Sequence, residues 1–381
     1  MEYFLTEEQN EIRDIARKVA EEKIKPLRQQ YDHEGIFPWD VVKVMAQTDL
    51  FAVLIPEEYD GISGKVTDLA IVTEELSRVD AGIALAFGGT GLGVYPIIIS
   101  GNEEQKQKYL PRVASGESLC AFALTEPNAG SDAGAIETTA VRDGDHFIIN
   151  GTKQWITNGG EADIYTVLTI TDKSKGARGA SMFIVEKGTP GFSFGKKEDK
   201  MGIRASATRE LIFEDCHVPA TNLLGREGHG FMVSMKTFDK SRPMVGAQAV
   251  GIAQGAYEEA VKFAKVRHQF GKPVSSFQAV QFMLADMGTQ IEAARCLVMA
   301  TSRMIDEGVK RYSKESAMCK LFASDVAMKV TVDAVQVMGG AGYMREYPVE
   351  KMMRDAKITQ IYEGTNQIMR SVIASNLLKE F

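Results

Sequence analysis

"HFIINGTKQWITNGGEADIYTVLTI", residues 146–170, is a series of short apolar runs cut by Gly, Asn and Asp. The runs are rich in Ile, Val, Phe and Thr and end at turn formers, which reads as antiparallel strands. Within it "NGTKQWITNGG" reads as a strand flanked by two turns. The same style continues in "ASMFIVE" (180–186) and "RELIFED" (209–215), so a β-domain is expected from Cys120 to about Gly225.

On both sides the period becomes helical. "TEEQ" (6–9) is a capping box in which Thr6 caps and Gln9 reaches back. Ile12, Ile15, Val19, Ile24 and Leu27 follow at helical spacing, and Pro26 marks the end. "LAIVTEELSRVDAGIALAF" (69–87) and "NEEQKQKYLPRVASG" (102–116) continue in that style. After Gly230, Val280, Leu284, Met287, Ile291, Ala294, Val298 and Ile305 form the stripe of a long bundle helix. The expected fold is α+β, mostly α. It has an N-terminal helical domain (1–119), a middle antiparallel β-domain (120–225) and a C-terminal four-helix bundle (226–381).

The chain has 381 residues, 44% apolar and 25% charged, with a net charge of −7. That composition is globular, and no global basic field favours nucleic acid or an anionic membrane. "MEYFLTEEQNEI" has acids where a signal peptide needs basic and apolar residues. No segment approaches the apolar length of a membrane span on this reading. Cys120, Cys216, Cys296 and Cys319 are far apart, and reduced core thiols in a cytoplasmic protein are expected.

Mechanistic motifs are sparse. No phosphate-binding loop and no GxSxG elbow occurs, and "GGTGLG" (88–93) has the wrong spacing for a dinucleotide site. His33, His146, His217, His229 and His268 form no ligand pair, so no metal is expected. "QIYEGTNQI" (360–368) sets one carboxylate, Glu363, among apolar and amide residues, followed by the conformationally free Gly364.

Six stretches in order resemble the acyl-CoA dehydrogenase family of flavoproteins. They are "AFALTEPNAGSDAG" (121–134), "GTKQWITNGGEAD" (151–163), "FDKSRP" (238–243), "RHQFGKPVSSFQ" (267–278), "QVMGGAGY" (336–343) and "RDAKITQIYEGTNQI" (354–368). The resemblance covers essentially the whole chain and is closest to the short- and medium-chain, butyryl-CoA dehydrogenase-like branch. It implies FAD-dependent α,β-dehydrogenation of an acyl-CoA thioester, with Glu363 as the base and flavin N5 as hydride acceptor. The Glu363 N–H would help to bind the thioester oxygen. Some relatives carry the acid on the "FDKSRP" helix. Here that place is Ser241, which cannot serve as a carboxylate base.

The resemblance also implies a flavin site at Phe122, Leu124, Thr125, Ser131, Trp155 and Thr157, with Ser131 also beside the CoA. Arg267, Gln269, Phe270, Gln278, Gln336, Gly339 and Gly340 would reach the FAD of a neighbouring subunit, with Thr365 and Gln367 at its adenine side. A shared site implies a homotetramer, a dimer of dimers. Asp239 and Arg242 would contact CoA, against the alternative of an exposed i,i+3 helix pair. Tyr362 and Gly364 would adjoin the acyl group. The implied partner is electron-transferring flavoprotein.

The acyl wall would include "AGIALAFGGTGLG" (81–93), which carries no charge, so a neutral acyl group is expected and glutaryl-type substrates are disfavoured. Gly88 and Gly89 either widen this pocket or let two helices pack closely. Reverse operation as an enoyl-CoA reductase, in complex with the electron-transfer partner, uses the same residues. The chain is shorter than acyl-CoA oxidases typically are, and a non-catalytic scaffold would not need Glu363, Trp155, Thr157 and Arg267.

Overall fold

The computed structural model describes residues 5–380. Helix α1 (Glu7–Val19) opens with the expected capping box, each bond 3.2 Å long between Thr6 and Gln9. One wide turn, Ala20–Ile24, follows, and the helical stretch ends before Pro26. Ile15 departs from the expected stripe and is 44% exposed. The buried face runs through Ala16 and Val19, and Ile15 is turned about 100° from Ala16.

Five helices complete the first unit: α2 (Arg28–Glu34), α3 (Trp39–Gln47), α4 (Val66–Val79), α5 (Ala81–Ser100) and α6 (Glu103–Ala114). Asp80 separates α4 from α5, its carboxylate accepting the Ile83 N–H at 2.9 Å as an N-cap. Helix α5 is apolar on all sides, as befits a helix enclosed by the rest of the fold. It corrects one expectation: its 20 residues are long and apolar enough to cross a bilayer. In this fold 83% of its most apolar window is buried inside the protein.

The next strands are β1 (Cys120–Ala123), β2 (Thr139–Asp143), β3 (His146–Thr157), β4 (Ile164–Ile170), β5 (Ala180–Glu186), β6 (Phe192–Lys197), β7 (Thr208–Pro219) and β8 (Leu223–Leu224). They form one sheet in the order β6-β7-β3-β2-β4-β5-β8, with β1 also on β4. The sheet is mixed, not purely antiparallel, because β1 and β2 run parallel to β4. Both reach β4 through crossings, and only a hairpin forces antiparallel pairing. The first expected turn in "NGTKQWITNGG" is also absent, since β3 runs straight through Asn150 and Gly151, opposite a bulge in β7 at Glu214–Asp215. Gly151 has φ 141°, and a Cβ there would lie 2.6 Å from Thr138 Oγ1. Asn150 exchanges two hydrogen bonds with Asp215, of 3.1 and 2.8 Å, which fixes the bulge.

The third unit contains α7 (Gly230–Val266), a small hairpin of β9 (His268–Gln269) and β10 (Lys272–Pro273), α8 (Gln278–Asp306), α9 (Ser313–Met338), α10 (Val349–Thr359) and α11 (Asn366–Glu380). Along α8 the middle of the expected stripe is buried, at Met287, Ile291, Ala294 and Val298, while Val280, Leu284 and Ile305 are half-buried. Cys296 lies off that stripe and is exposed, whereas the other three cysteines are buried thiols. Core placement therefore fails for Cys296.

Two polar joints tie the units together. Asp306, at the end of α8, accepts the N–H groups of Val66 and Thr67 at 2.7 and 2.9 Å and so caps α4. Lys351 of α10 sits between Asp355 and Asp80, 2.9 Å from the latter, and Asp355 accepts the Ile203 N–H at 2.5 Å. That second joint is buried and connects all three units at one point.

Candidate active site

The end of β3 forms one wall of the site. Pairing with β7 slips between Lys153 and Ile156, and Trp155 takes φ 57°. This bulge turns the indole outward, leaving Trp155 58% exposed. Lys153, before the bulge, points into the core and donates to the Leu124 carbonyl at 3.1 Å and to Glu126 at 2.7 Å. Glu126 also accepts the N–H groups of Glu137 and Thr138. Burial pushes the Lys153 ammonium down to about 8, against the pull of Glu126. Gln154 N–H donates to Thr125 carbonyl at 2.7 Å, so the 124–126 loop is pinned against β3.

The opposite wall is the turn between α10 and α11. Glu363 has φ 51° and Gly364 φ 98°, two successive left-handed residues. A side chain at Gly364 would be strained by that φ and would meet Met369 Cε at 2.5 Å. The Ser241 hydroxyl of α7 donates to Glu363 Oε2. Arg242 Nε donates to the Glu363 carbonyl at 3.3 Å, and its other arm pairs with Asp239 at 2.8 Å. Lys320 of α9 donates to the Gly364 carbonyl at 2.7 Å and to Asn366 Oδ1 at 2.9 Å. Among the described residues, the Glu363 N–H donates to no backbone carbonyl.

Electrostatics follow from this enclosure. Burial raises the Glu363 carboxyl above its usual range, opposed by Ser241, Arg242 and Lys320. Burial also pushes Lys320 down to about 7, against the attraction of Glu363.

Between the walls lies a cleft roofed by α5 and α7. Ala84, Leu85, Gly88, Gly89 and Leu92 line it from α5, and Phe238, Met244, Val245 and Gln248 from α7. Phe122 and Phe238 meet edge-on across it, ring centres 5.4 Å apart. Tyr362 lines it as well, its hydroxyl donating to Gln248 Oε1. Glu363 is the one charged group among the lining residues. Gly88 opens onto the cleft, its Cβ position meeting only Leu85 Cδ2 at 3.7 Å. Gly89 faces β3 instead: a Cβ would lie 2.8 Å from Thr157 Cγ2 and 2.9 Å from Asn158 Nδ2. The close packing that Gly89 permits is thus of helix on strand, not helix on helix.

Of the residues singled out from the sequence, Phe122, Leu124, Thr125, Trp155, Thr157, Tyr362 and Glu363 converge on this cleft. Gly364 and half-buried Thr365 are on its turn, and Asp239 and Arg242 stand behind it. Arg242 is 5% exposed, which excludes an exposed surface pair. Ser131, Arg267, Gln269, Phe270, Gln278, Gln336, Gly339, Gly340 and Gln367 are exposed and do not line it. Sequence reasoning missed Lys153, Lys320 and Gln248, and dismissed Ser241 as a base without seeing it as the partner of one. Lys153 keeps the inward phase of Phe147 and Ile149, but a lysine in a strand reads as solvent-facing. Lys320 gives no signal at all, since a lysine in a helix reads as solvated.

The residues present fit a flat, partly apolar group. An indole held outward by a left-handed backbone, beside Thr157 and the pinned 124–125 edge, is a stacking surface open at the cleft. A helical unit, a sheet and a bundle closing on a half-buried carboxylate and such a surface fit the class of flavoprotein dehydrogenases acting on carbon–carbon bonds. Three successive family models match: acyl-CoA dehydrogenase N-terminal domain over residues 6–117, middle domain over 121–216 and C-terminal domain over 228–378. The solved butyryl-CoA dehydrogenase of Megasphaera elsdenii is 47% identical, with a TM-score of 0.96, covering 98% of this chain and 99% of its own. A chain in the solved structure of the electron-transferring flavoprotein of Acidaminococcus fermentans, a study of electron bifurcation, is 52% identical with a TM-score of 0.96, covering 98% of both. The acryloyl-CoA reductase (NADH) of Anaerotignum propionicum is 48% identical over 381 residues, all of this chain and 96% of that protein. The chain belongs to the acyl-CoA dehydrogenase family and is an FAD-dependent enzyme of that family.

Proposed function

We propose that this enzyme dehydrogenates the Cα–Cβ bond of a neutral acyl-CoA, with a short, medium, cyclic or aryl acyl group. FAD, when bound, supplies at N5 the acceptor for the β-hydride. Glu363 takes the α-proton. The observation that carries this reading is its position: a half-buried carboxylate, raised by desolvation, on a strained turn across an apolar cleft from Trp155 and Thr157. Ser241 occupies Oε2 and so orients the carboxylate. The unused Glu363 N–H is the donor available to the thioester oxygen as charge develops there. Leu124, Thr125, Ser131, Phe122, Trp155 and Thr157 hold the cofactor on this reading, and Asp239 and Arg242 the CoA side. A neutral acyl group is supported by the lining, which offers no cation to pair a second carboxylate.

The reading extends to a homotetramer, a dimer of dimers. Phe270 is 92% exposed at a hairpin tip, and Arg267, Gln269, Gln278, Gln336, Gly339, Gly340 and Gln367 are exposed too, as a site shared with another copy needs. Electron-transferring flavoprotein is the proposed partner, supported by the similarity to a chain in the solved electron-transferring flavoprotein structure of Acidaminococcus fermentans. The domain division 1–119, 120–225 and 226–381 and a cytoplasmic location, consistent with four unpaired cysteines, complete the proposal. The 48% identity to an acryloyl-CoA reductase favours a second reading, the same chemistry run towards the saturated thioester.

The test is anaerobic bleaching of the bound flavin by a panel of acyl-CoAs. Butyryl-like or small cyclic thioesters should bleach it fastest, and glutaryl-CoA as the fastest would overturn the neutral-acyl reading. Glu363→Gln should keep FAD yet lose reduction by about 10²–10⁴-fold. Reduction at the parent rate in that variant would remove Glu363 as the base.

A further inference from the structure

The turn that carries Glu363 is held by two cations from two helices. Arg242 of α7 takes the Glu363 carbonyl, and Lys320 of α9 takes the next one, that of Gly364. Lys320 is completely buried, and its other bond is to Asn366, the first residue of α11. Asn366 is itself fixed, donating to Ser324 and Asp325 at 2.9 and 2.8 Å. Burying an ammonium is costly, and neutral donors would satisfy one carbonyl and one amide oxygen. What the turn needs is larger. A non-glycine residue at φ 51° costs about 1–3 kcal/mol, and it persists only where the surroundings over-determine it.

We propose that Lys320 is a positioning residue of the catalytic turn: by holding the Gly364 carbonyl and Asn366, it keeps Glu363 and Gly364 left-handed and aims the carboxylate and the free N–H of Glu363 into the cleft. Arg242 fixes the Glu363 carbonyl and the Asn366 N–H closes the turn on the Gln360 carbonyl at 3.0 Å, but neither holds the Gly364 carbonyl. Lys320 fixes the peptide plane of that carbonyl. This inference rests on Glu363 being the base.

The experiment compares Lys320→Met and Lys320→Arg with the parent holoenzyme. Hydrogen exchange at the amides of residues 362–366 reads the clamp without any turnover. In Lys320→Met it should rise at least tenfold while exchange in the middle of α9 stays as in the parent. Flavin reduction by butyryl-CoA should fall by about a hundredfold, the penalty of a base misplaced by about 1 Å, with FAD content kept. Acyl-CoA affinity should change less than threefold, so the loss appears in kcat. Lys320→Arg should recover part of the rate. Should Lys320→Met not accumulate as folded protein, Lys320→Gln, whose uncharged amide keeps N–H donors on a side chain one atom shorter, carries the same comparison. Unchanged exchange at 362–366 overturns the inference, as does uniform loosening of α9 and the turn together. Local loosening of the turn with parental reduction in both Lys320→Met and Glu363→Gln would instead remove Glu363 as the base and leave the clamp standing.

Discussion

Neighbouring glycines in α5 should respond to alanine in opposite ways. Gly→Ala inside a helix gains about 0.8–1.0 kcal/mol from backbone entropy. At Gly88 nothing opposes that gain, because the new methyl meets only Leu85 Cδ2 at ordinary contact distance. At Gly89 the methyl would sit 2.8 Å from Thr157 Cγ2 and 2.9 Å from Asn158 Nδ2. Asn158 cannot swing aside freely, since its amide donates to Thr90 and the Cys120 carbonyl at 3.3 and 3.2 Å. Overpacking of this kind costs about 1–3 kcal/mol, so Gly89→Ala should lose about 0–2 kcal/mol net while Gly88→Ala gains about 1. The functional effects should separate too. The Gly88 methyl narrows the cleft, so the bulkiest accepted acyl group should lose about tenfold or more in kcat/KM, as one methylene does in a tight pocket. Gly89→Ala displaces Thr157 and should lower the FAD retained per chain. Urea midpoints at constant m, flavin-to-protein ratios and an acyl-CoA profile measure all three. Equal stability changes in the two variants, or an acyl profile altered only by Gly89→Ala, would refute the reasoning.

Ser241→Ala removes a hydrogen bond that favours the ionised form of Glu363, so the carboxyl should hold its proton to higher pH. The acidic limb of the flavin-reduction rate should therefore move to higher pH; a limb that stays put or moves down would exclude Ser241 as the carboxylate's partner. Lys351→Met leaves Asp80 and Asp355 buried without their shared cation. It should cost about 3–5 kcal/mol near neutrality in equilibrium unfolding. The loss should shrink in acid, because burial already raises Asp355 and protonation removes its charge.

Much of the fold was legible because burial imposes period. The Thr6–Gln9 cap, the α8 stripe from Met287 to Val298 and the strand runs after Cys120 all repeat at the spacing of their elements. Legibility failed where a local signal points the wrong way. Asn150–Gly151 looks like a turn from sequence, because Asn-Gly favours turns, and only pairing with β7 makes it part of a strand. Strand direction also escaped, since β1 shows the same apolar run whether it lies parallel or antiparallel to β4. The length of helix α5 escaped as well: its 20 apolar residues run unbroken through the glycines because the helix is packed on all sides.

For the site, the sequence by itself supplied the candidate carboxylate, the candidate indole and the flanking motifs, because side-chain chemistry is local. The tertiary structure decided what those groups face. It set Ser241 on Glu363, buried Arg242 rather than leaving it on a helix surface, and brought Lys320 from α9 to the Gly364 carbonyl 44 residues away. Such contacts join residues remote in the chain. Their energies depend on desolvation and geometry that no single segment contains.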